Sequence, residues 1–236
     1  MKAVIHHPYY LPYPGHFHKI SMADVFVIMD NTQYDKRFTN RNKIMNPNGK
    51  TMQDWISVPI KKEDKFLANK QVRINNNIQW REEHWKKISH TYSNSEFFHI
   101  YNDFFKKGYE KEWEYLFELD IYFLKKILKW LNIDVEIIRE SELNVKDTST
   151  ERLIKICKNI DADTYISGIG GRNYIDNNIF TKNKIELVFQ QYKPVPYKQR
   201  FSQEFIPDLS IIDMLSNVGT ESYKFVVEKS LQYHND

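Results

Sequence analysis

The apolar positions of the chain form short runs that alternate with amphipathic stretches. Residues 3–5 and 24–29 are apolar runs of strand length, and a short helical stretch at 17–22 separates them. The order strand, helix, strand predicts a right-handed crossover and therefore a parallel pair. The same alternation returns in the second half, where the pattern predicts strands at 135–138, 163–167 and 185–189 and helices at 149–158 and 209–217.

The middle of the chain has a different pattern. Two long helical stretches are predicted at 84–107 and 111–131, and the second has a wide apolar face. A polar loop and two further strands precede them, at 32–50, 55–60 and 71–75. The sequence therefore predicts an α/β fold with a Rossmann-like, mainly parallel sheet and an inserted or capping helical region around 80–132. We expect residues 1–236 to form a single domain.

Composition narrows the class of protein. Hydrophobic residues make up 41% of the chain and aromatic residues 15%, which is enough for a large core and excludes disorder. The net charge of +3 is too balanced for a polybasic binder, and a single cysteine, Cys157, excludes a disulfide scaffold or a multi-cysteine metal site. No apolar run approaches the length of a membrane span, and the first residues lack a signal-peptide pattern. We expect a cytoplasmic protein.

Polar residues follow several of the predicted strands. His6 and His7 end the first strand, Asp30 follows the second, and Ser167 ends the strand at 163–167. Ligands of parallel sheets bind outside the carboxyl ends of the strands. We therefore expect these residues to face one edge of the sheet.

The first candidate cluster is the loop that begins at His6. It contains four histidines, but no pair at helical i, i+4 spacing indicates a metal site, so no metal is predicted. Gly15-His16 at a helix start resembles the Gly-His element of adenylyl-transferring Rossmann-like enzymes, in which the imidazole steadies nucleotide phosphates. Tyr13 stands where that class has its first histidine. The alternative is a loop stiffened by prolines and packed by aromatic side chains.

The second cluster is a basic stretch rich in amides. Five cations and one acid lie between residues 31 and 50, so this stretch carries more positive charge than the whole chain. Arginine side chains flanked by amides suit a diphosphate, and the candidates are Gln33, Lys36, Arg37, Asn40, Arg41 and Asn42. The alternative is a solvated basic loop. A nucleic-acid surface is disfavoured because the overall charge is near balance.

The third cluster follows the strand at 163–167. Glycines after a strand let backbone N–H groups approach an anion closely, and the candidates are Ser167, Gly168, Arg172 and Tyr174. No Gly-Lys-Ser or Gly-Lys-Thr follows, so this is not a P-loop. A simple tight turn is the alternative.

These three stretches, at 6–20, 23–44 and 162–174 with a continuation at 209–213, together resemble the WbqC-like family of bacterial polysaccharide gene clusters. The resemblance implies a role in surface-polysaccharide (O-antigen) biosynthesis, in which an aminoacyl group, glycine in particular, is transferred to an amino sugar. Together with the basic, amide-rich stretch, it leads to the hypothesis of an enzyme that transfers an acyl or aminoacyl group to a nucleotide-linked amino sugar. The chain departs from the family pattern at His7, where the family usually has Gln, and at His16, where it usually has an aromatic residue. Because of these departures, the stronger candidates for function are His6, Lys36, Arg37, Asn40 and Arg41.

With that resemblance, the predicted catalytic residues are His6 as general base, Asp30 and Lys36. The predicted substrate-binding residues are Tyr10, Lys19, Gln33, Arg37, Asn40, Arg41, Asn42, Ser167, Gly168, Arg172 and Tyr174. The acyl donor stays open between a coenzyme A thioester, an aminoacyl-tRNA and an adenylate made from ATP. The sequence identifies no cofactor and no oligomeric state.

Two other functions compete with acyl transfer. Gly15-His16 favours an ATP-dependent adenylate-forming or nucleotidyl transferase. A non-catalytic module that binds sugar nucleotides or glycans is the third hypothesis, with Tyr9, Tyr10, Tyr13 and Trp55 as stacking surfaces.

Overall fold

The computed structural model describes residues 1–228. The strands are β1 (Lys2–His6), β2 (Val25–Ile28), β3 (Arg41–Met45), β4 (Gln53–Ser57), β5 (Glu136–Arg139), β6 (Thr164–Ser167) and β7 (Glu186–Phe189). The α-helices are α1 (Pro14–Ser21), α2 (Trp80–Tyr92), α3 (Phe98–Glu110), α4 (Leu116–Trp130), α5 (Ser149–Asn159), α6 (Asn177–Lys182) and α7 (Ile211–Val218).

Five strands form one sheet in the order β5-β2-β1-β6-β7, and every neighbouring pair is parallel. In chain order, β2 and β5 are added on one side of β1, and β6 and β7 are then added on its other side. This is the strand order of a Rossmann-like half, so the predicted α/β class is confirmed. The order reverses between β1 and β6, which places a crevice outside their carboxyl ends.

Both faces of the sheet are covered, which explains why its strands read as nearly continuous apolar runs. Val4 and Phe26 point to one face and share a core cluster with residues of α1 and of the helices α2 to α4. Ile5 and Val27 point to the opposite face and pack with Leu153 and with other residues of α5, including Cys157. The helices at 80–130 therefore share a core with the sheet. The single-domain organisation stays a prediction.

The segment 32–50 differs from the prediction because it contains a strand. β3 pairs with β4 in an antiparallel hairpin, with Asn42 opposite Ile56. Asn42 is buried, and its Nδ2 donates to the Leu11 carbonyl at 2.8 Å. A strand whose inward positions include a hydrogen-bonded amide lacks the apolar alternation that identifies strands in a sequence.

Three other elements depart from the pattern. The predicted strand at 71–75 is irregular and makes isolated bridges only, such as Ile74 with Ile60. The long helix predicted at 84–107 is two helices, α2 and α3, separated around Ser93 and Ser95. α6 is too short and polar for periodicity to detect, and the Asp176 side chain caps it by accepting from the Asn178 N–H at 2.8 Å. Within residues 1–228, no helix is long and apolar enough to cross a membrane.

Candidate functional site

A cleft of about 1330 Å³ opens at the carboxyl edge of the sheet, where the strand order reverses. His6 and His7 line it from the end of β1, Ser167 and Gly168 from the end of β6, and Gln190 from the end of β7. Ligands of open α/β sheets bind at this position. The topology thus identifies the cleft as the candidate active site.

The lining of the cleft is cationic and aromatic. Its charged side chains are the cations Lys19, Arg37, Arg152 and Lys193 and the acids Asp35 and Asp208. Its aromatic side chains are Tyr9, Tyr13, Phe38, Tyr165, Tyr174 and Tyr192. Arginines bind phosphates bidentately, and aromatic rings offer large apolar faces to planar ligands. The cleft therefore suits an anionic ligand that also carries a ring.

The floor of the cleft consists of His6, His16 and Lys19, which we call the floor cluster. Tyr13, His16 and Lys19 follow one another at three-residue intervals, so α1 and its cap direct all three to the cleft side. The ring centroids of His6 and His16 lie 5.1 Å apart. Lys19 Nζ lies 3.8 Å from the position that a Cβ on Gly168 would occupy. The cluster is thus a group of basic side chains between the ends of β1 and β6.

Burial keeps the floor cluster weakly basic. Burial lowers the pKa of Lys19 from 10.5 to about 7. Burial and the nearby Lys19 hold the pKa values of His6 and His16 well below the ordinary 6.5. The His7 carbonyl accepts from Nδ1 of His6 at 3.2 Å, so the neutral ring has its lone pair on Nε2. At neutral pH the cluster therefore offers two neutral imidazoles and an amine whose neutral form is accessible.

The other side of the cleft is formed by the start of α5. Thr148 and Ser149 line the cleft here, and Arg152 follows one turn later. The Arg152 side chain forms an ion pair with Glu140, and its Nη1 donates to the Asp147 carbonyl at 3.1 Å. This wall was not identified from the sequence, because the pattern of the helix indicated only an apolar face toward the core.

The segment after β7 closes the third side. The Gln190 side chain donates to the Gly15 carbonyl at 2.8 Å and so ties the start of α1 to β7. A Cβ on Gly15 would lie 2.4 Å from the Tyr13 ring and 2.6 Å from the Tyr192 ring. Glycine is therefore required here by the packing of two aromatic rings. The strand-end rule, applied to the predicted strand at 185–189, would have identified Gln190.

The structure brings part of the predicted site to the cleft. His6, Lys19, Arg37, Ser167, Gly168 and Tyr174 all line it. Arg37 is 83% exposed on the rim, 3.4 Å from the Asp35 carboxylate. Tyr174 is 69% exposed on the turn after β6. His6 stays the predicted general base, and the other five stay predicted binding residues.

Four predicted site residues lie buried away from the cleft with partners inside the protein. Asp30 accepts from Arg139 Nε at 2.9 Å and from the Ser141 N–H at 2.8 Å. The Tyr10 hydroxyl contacts His84 Nδ1 at 3.0 Å. The Asn40 side chain donates to the Val58 carbonyl at 2.8 Å, and Asn42 donates to Leu11 as described above. Their contacts are those of groups that hold the fold together.

The remaining predicted residues lie on the surface outside the cleft. Lys36 and Gln33 are exposed, and the Arg172 guanidinium lies 5.0 Å from the Phe189 ring. Arg41 points away from the two buried asparagines because side chains alternate along β3. Its guanidinium lies 4.4 Å from the Trp55 ring, and its Nε donates to the Arg37 carbonyl at 3.2 Å. Arg41 thus contacts the backbone of Arg37 on the rim of the cleft.

Within residues 1–228, no three side chains of His, Cys, Asp or Glu lie close enough together to hold a metal ion. The floor cluster contributes two histidines to the cleft. Its other member is a lysine, which is not a ligand of the common divalent metals.

Fold and cleft together define a Rossmann-like α/β protein with an electropositive crevice at the switch in strand order. The chain belongs to the WbqC-like protein family, whose model matches residues 7–225, and the predicted resemblance is confirmed. A similar protein of Mycobacterium tuberculosis (strain H37Rv), the uncharacterized protein Rv1507c, is 31% identical over 216 residues, which cover 90% of this chain and 92% of that protein. No solved structure gives a significant match.

Proposed function

We propose that this protein is a biosynthetic enzyme of surface polysaccharides that transfers an acyl or aminoacyl group, such as glycyl, to the amine of a nucleotide-linked amino sugar. Membership of the WbqC-like family supports a biosynthetic role. The observation that carries the proposal is the cleft, which combines cations on its rim, aromatic walls and neutral basic groups on its floor.

The rim binds the nucleotide portion of the acceptor. Arg37 engages the diphosphate, and Lys193 adds a second positive charge. Tyr9 and Tyr192 supply apolar surfaces for the base or the sugar. The volume of about 1330 Å³ exceeds the roughly 1,000 Å³ of a large ligand pocket, which leaves room for an acceptor and an acyl donor together.

The floor cluster carries out the chemistry. The acceptor nitrogen attacks the acyl carbonyl carbon, and it becomes strongly acidic as its bond to that carbon forms. His6 Nε2 takes the proton that this nitrogen sheds and passes it to the leaving group, whose bond to carbon breaks. The N–H groups of Ile169 and Gly170 begin the turn after β6, have no acceptor within that turn and are available for the oxyanion.

The acyl donor is an activated ester, thioester or mixed anhydride. A coenzyme A thioester, an aminoacyl-tRNA and an acyl adenylate all release a stable leaving group in this step. Nucleic acid enters only as the aminoacyl-tRNA donor.

The matched variants Arg37→Ala and Lys36→Ala test the binding of the acceptor. Isothermal titration calorimetry with UDP-glucosamine should give an affinity about tenfold weaker for Arg37→Ala, because about 1.4 kcal/mol of binding free energy is lost. Lys36→Ala should bind as the unmodified protein does, because Lys36 lies outside the cleft. Equal affinity for the Arg37 variant would remove the phosphate assignment.

A nucleotidyl or adenylyl transferase is the second candidate. His16 favours it, because this imidazole lies in the first turn of α1 and faces the cleft. This function predicts magnesium-dependent exchange of pyrophosphate into ATP in the presence of an acid substrate. Saturable binding of sugar nucleotides with neither exchange nor an acylated product in mass spectrometry would favour the non-catalytic binding module instead.

A further inference from the structure

Lys19 differs from the other buried charged groups near the sheet. Its side chain is 4% exposed and lines the cleft, and within residues 1–228 no ion pair or hydrogen bond to another protein group involves its Nζ. Buried Asp30 has Arg139 as a partner, and buried Asp64 has Arg73. A buried ammonium without a partner costs free energy, because the interior solvates charge poorly.

The fold itself does not need an amine at this position. Lys19 lies on α1 between the buried His18 and the fully buried Ile20. An apolar side chain of similar length would fill the same space without the desolvation cost. Groups that are kept at such a cost in a cleft are candidates for function.

The surroundings of Lys19 favour its neutral form. Burial alone lowers the pKa of Lys19. The titratable groups near it are the imidazoles of His6, His16 and His7, and the positive charge of Lys19 lowers the pKa of each of them. The acids that line the cleft, Asp35 and Asp208, do not offset its burial. A free amine with a lone pair is therefore accessible to the protein near neutral pH.

We propose that Lys19 contacts the ammonium group of the acceptor sugar and removes its first proton, an assignment that rests on the proposed function. The proton moves from the sugar nitrogen to Lys19 Nζ, which leaves a free amine on the sugar and an ammonium on Lys19. The amine lone pair then forms the bond to the acyl carbon, and His6 transfers the second nitrogen proton to the leaving group. Lys19 finally returns its proton to water.

The division of labour between Lys19 and His6 follows from their basicities. Amines with electron-withdrawing neighbours, such as α-amino groups, have a pKa of about 8. The pKa of Lys19 lies near that value, whereas the pKa of His6 is well below 6.5. Proton transfer is efficient between groups of similar pKa, so Lys19 matches the sugar ammonium and His6 matches the more acidic nitrogen of the tetrahedral intermediate.

Competitive labelling with trace acetic anhydride tests this assignment on the intact protein. The extent of acetylation at each lysine, measured by peptide mass spectrometry between pH 6 and 11, should have its midpoint near pH 7 for Lys19. The exposed Lys125, followed in the same samples, is the reference for an ordinary surface lysine. A midpoint near 10 for Lys19, or no acetylation of Lys19 at any pH, would overturn the proposal.

Protection by ligands separates a proton acceptor from a phosphate ligand. UDP-glucosamine at saturation should slow the acetylation of Lys19 at least tenfold, and UDP should slow it less than twofold, because the diphosphate lies on the rim. Equal protection by UDP would assign Lys19 to the phosphates and overturn the proposal. Calorimetry on the same samples tests the proposed function separately, since it measures whether UDP-glucosamine binds at all.

Discussion

Two neighbouring strands, β1 and β2, end side by side at the same edge of the sheet, with His6 paired to Ile28. Beyond β2, the Asp30 carboxylate is fully buried and accepts hydrogen bonds from Arg139 and from the N–H and hydroxyl of Ser141. Beyond β1, the buried Lys19 of the following helix has no such partner. Burial of a charged group is common to both strand ends, and the presence of a partner distinguishes them.

This difference separates polar groups that build the fold from polar groups that are left for a ligand. The carboxylate oxygens of Asp30 already accept hydrogen bonds from the protein, so a ligand would add no hydrogen bond that this group lacks. Lys19 faces a cleft with its capacity unused. A search for a site in this class of fold should therefore look for buried charges without partners rather than for buried charges alone.

The largest effect on stability is expected from removal of the Asp30 carboxylate, which has partners beyond β2. Asp30→Ala should lower the free energy of unfolding by about 3–5 kcal/mol, because it leaves Arg139 and Ser141 without their acceptor. Urea denaturation followed by circular dichroism measures this change. Asp134→Ala, at an exposed carboxylate, is the control and should change it by less than about 0.5 kcal/mol. A loss below about 1 kcal/mol for Asp30→Ala would contradict the structural role.

The opposite effect on stability is expected beyond β1, where Lys19 has no partner. Lys19→Met should raise the free energy of unfolding at pH 7 by up to about 4 kcal/mol, because a pKa lowered from 10.5 to about 7 corresponds to about 1.36 kcal/mol per unit. Lys125→Met, at an exposed lysine, should have almost no effect. Destabilisation by Lys19→Met would mean that the ammonium is satisfied in the folded protein.

The same lysine predicts the pH dependence of stability. The unfolded chain binds a proton at Lys19 up to about pH 10.5, whereas the folded protein loses it near pH 7. Between these values the unfolded state binds more protons, so the contribution of Lys19 to stability rises with pH across this window. The advantage of Lys19→Met should therefore be full below pH 7 and shrink steadily toward pH 10.5. A constant advantage across this range in urea titrations would contradict the lowered pKa.

A smaller difference in stability is expected between alanine variants of two glycines in the turn after β6. A Cβ on Gly171 would lie 2.1 Å from Ser167 Oγ, whereas a Cβ on Gly170 would meet no atom within 4 Å. Gly171→Ala should lower the free energy of unfolding by about 1–3 kcal/mol, and Gly170→Ala should leave it unchanged within about 0.5 kcal/mol. Thermal unfolding of the two variants measures this difference. Equal stabilities would show that the turn can shift freely.

The smallest effect is expected from a pair of tyrosines in the first loop. Tyr10→Phe removes the hydroxyl that contacts His84, and it should cost about 1–2 kcal/mol because that nitrogen stays buried. Tyr9→Phe changes a residue that lines the cleft and has no hydrogen bond through its hydroxyl to another described residue, so it should leave stability unchanged within about 0.5 kcal/mol. Urea denaturation of both variants compares them. A larger loss for Tyr9→Phe would contradict its assignment to the cleft.

Much of the fold follows from local patterns in the chain. The apolar runs at 3–5, 24–29 and 163–167 are strands because a strand buried on both faces needs apolar side chains at every position. Their parallel arrangement follows from the crossovers between them. The strand-end rule then led to His6, Ser167 and Gly168, all of which line the cleft.

Which polar side chains reach the cleft was decided only by tertiary structure. Asp30 follows a predicted strand and Lys19 lies in a predicted helix, but nothing in these local patterns indicates which of the two charges has a partner. Asp30 is satisfied by Ser141, which lies 111 positions further along the chain, whereas Lys19 meets no acid at all among the described residues. Periodicity reports which face of an element is apolar, but the partner of a buried charge comes from distant segments, and only their packing determines whether that charge is paired or left for a ligand.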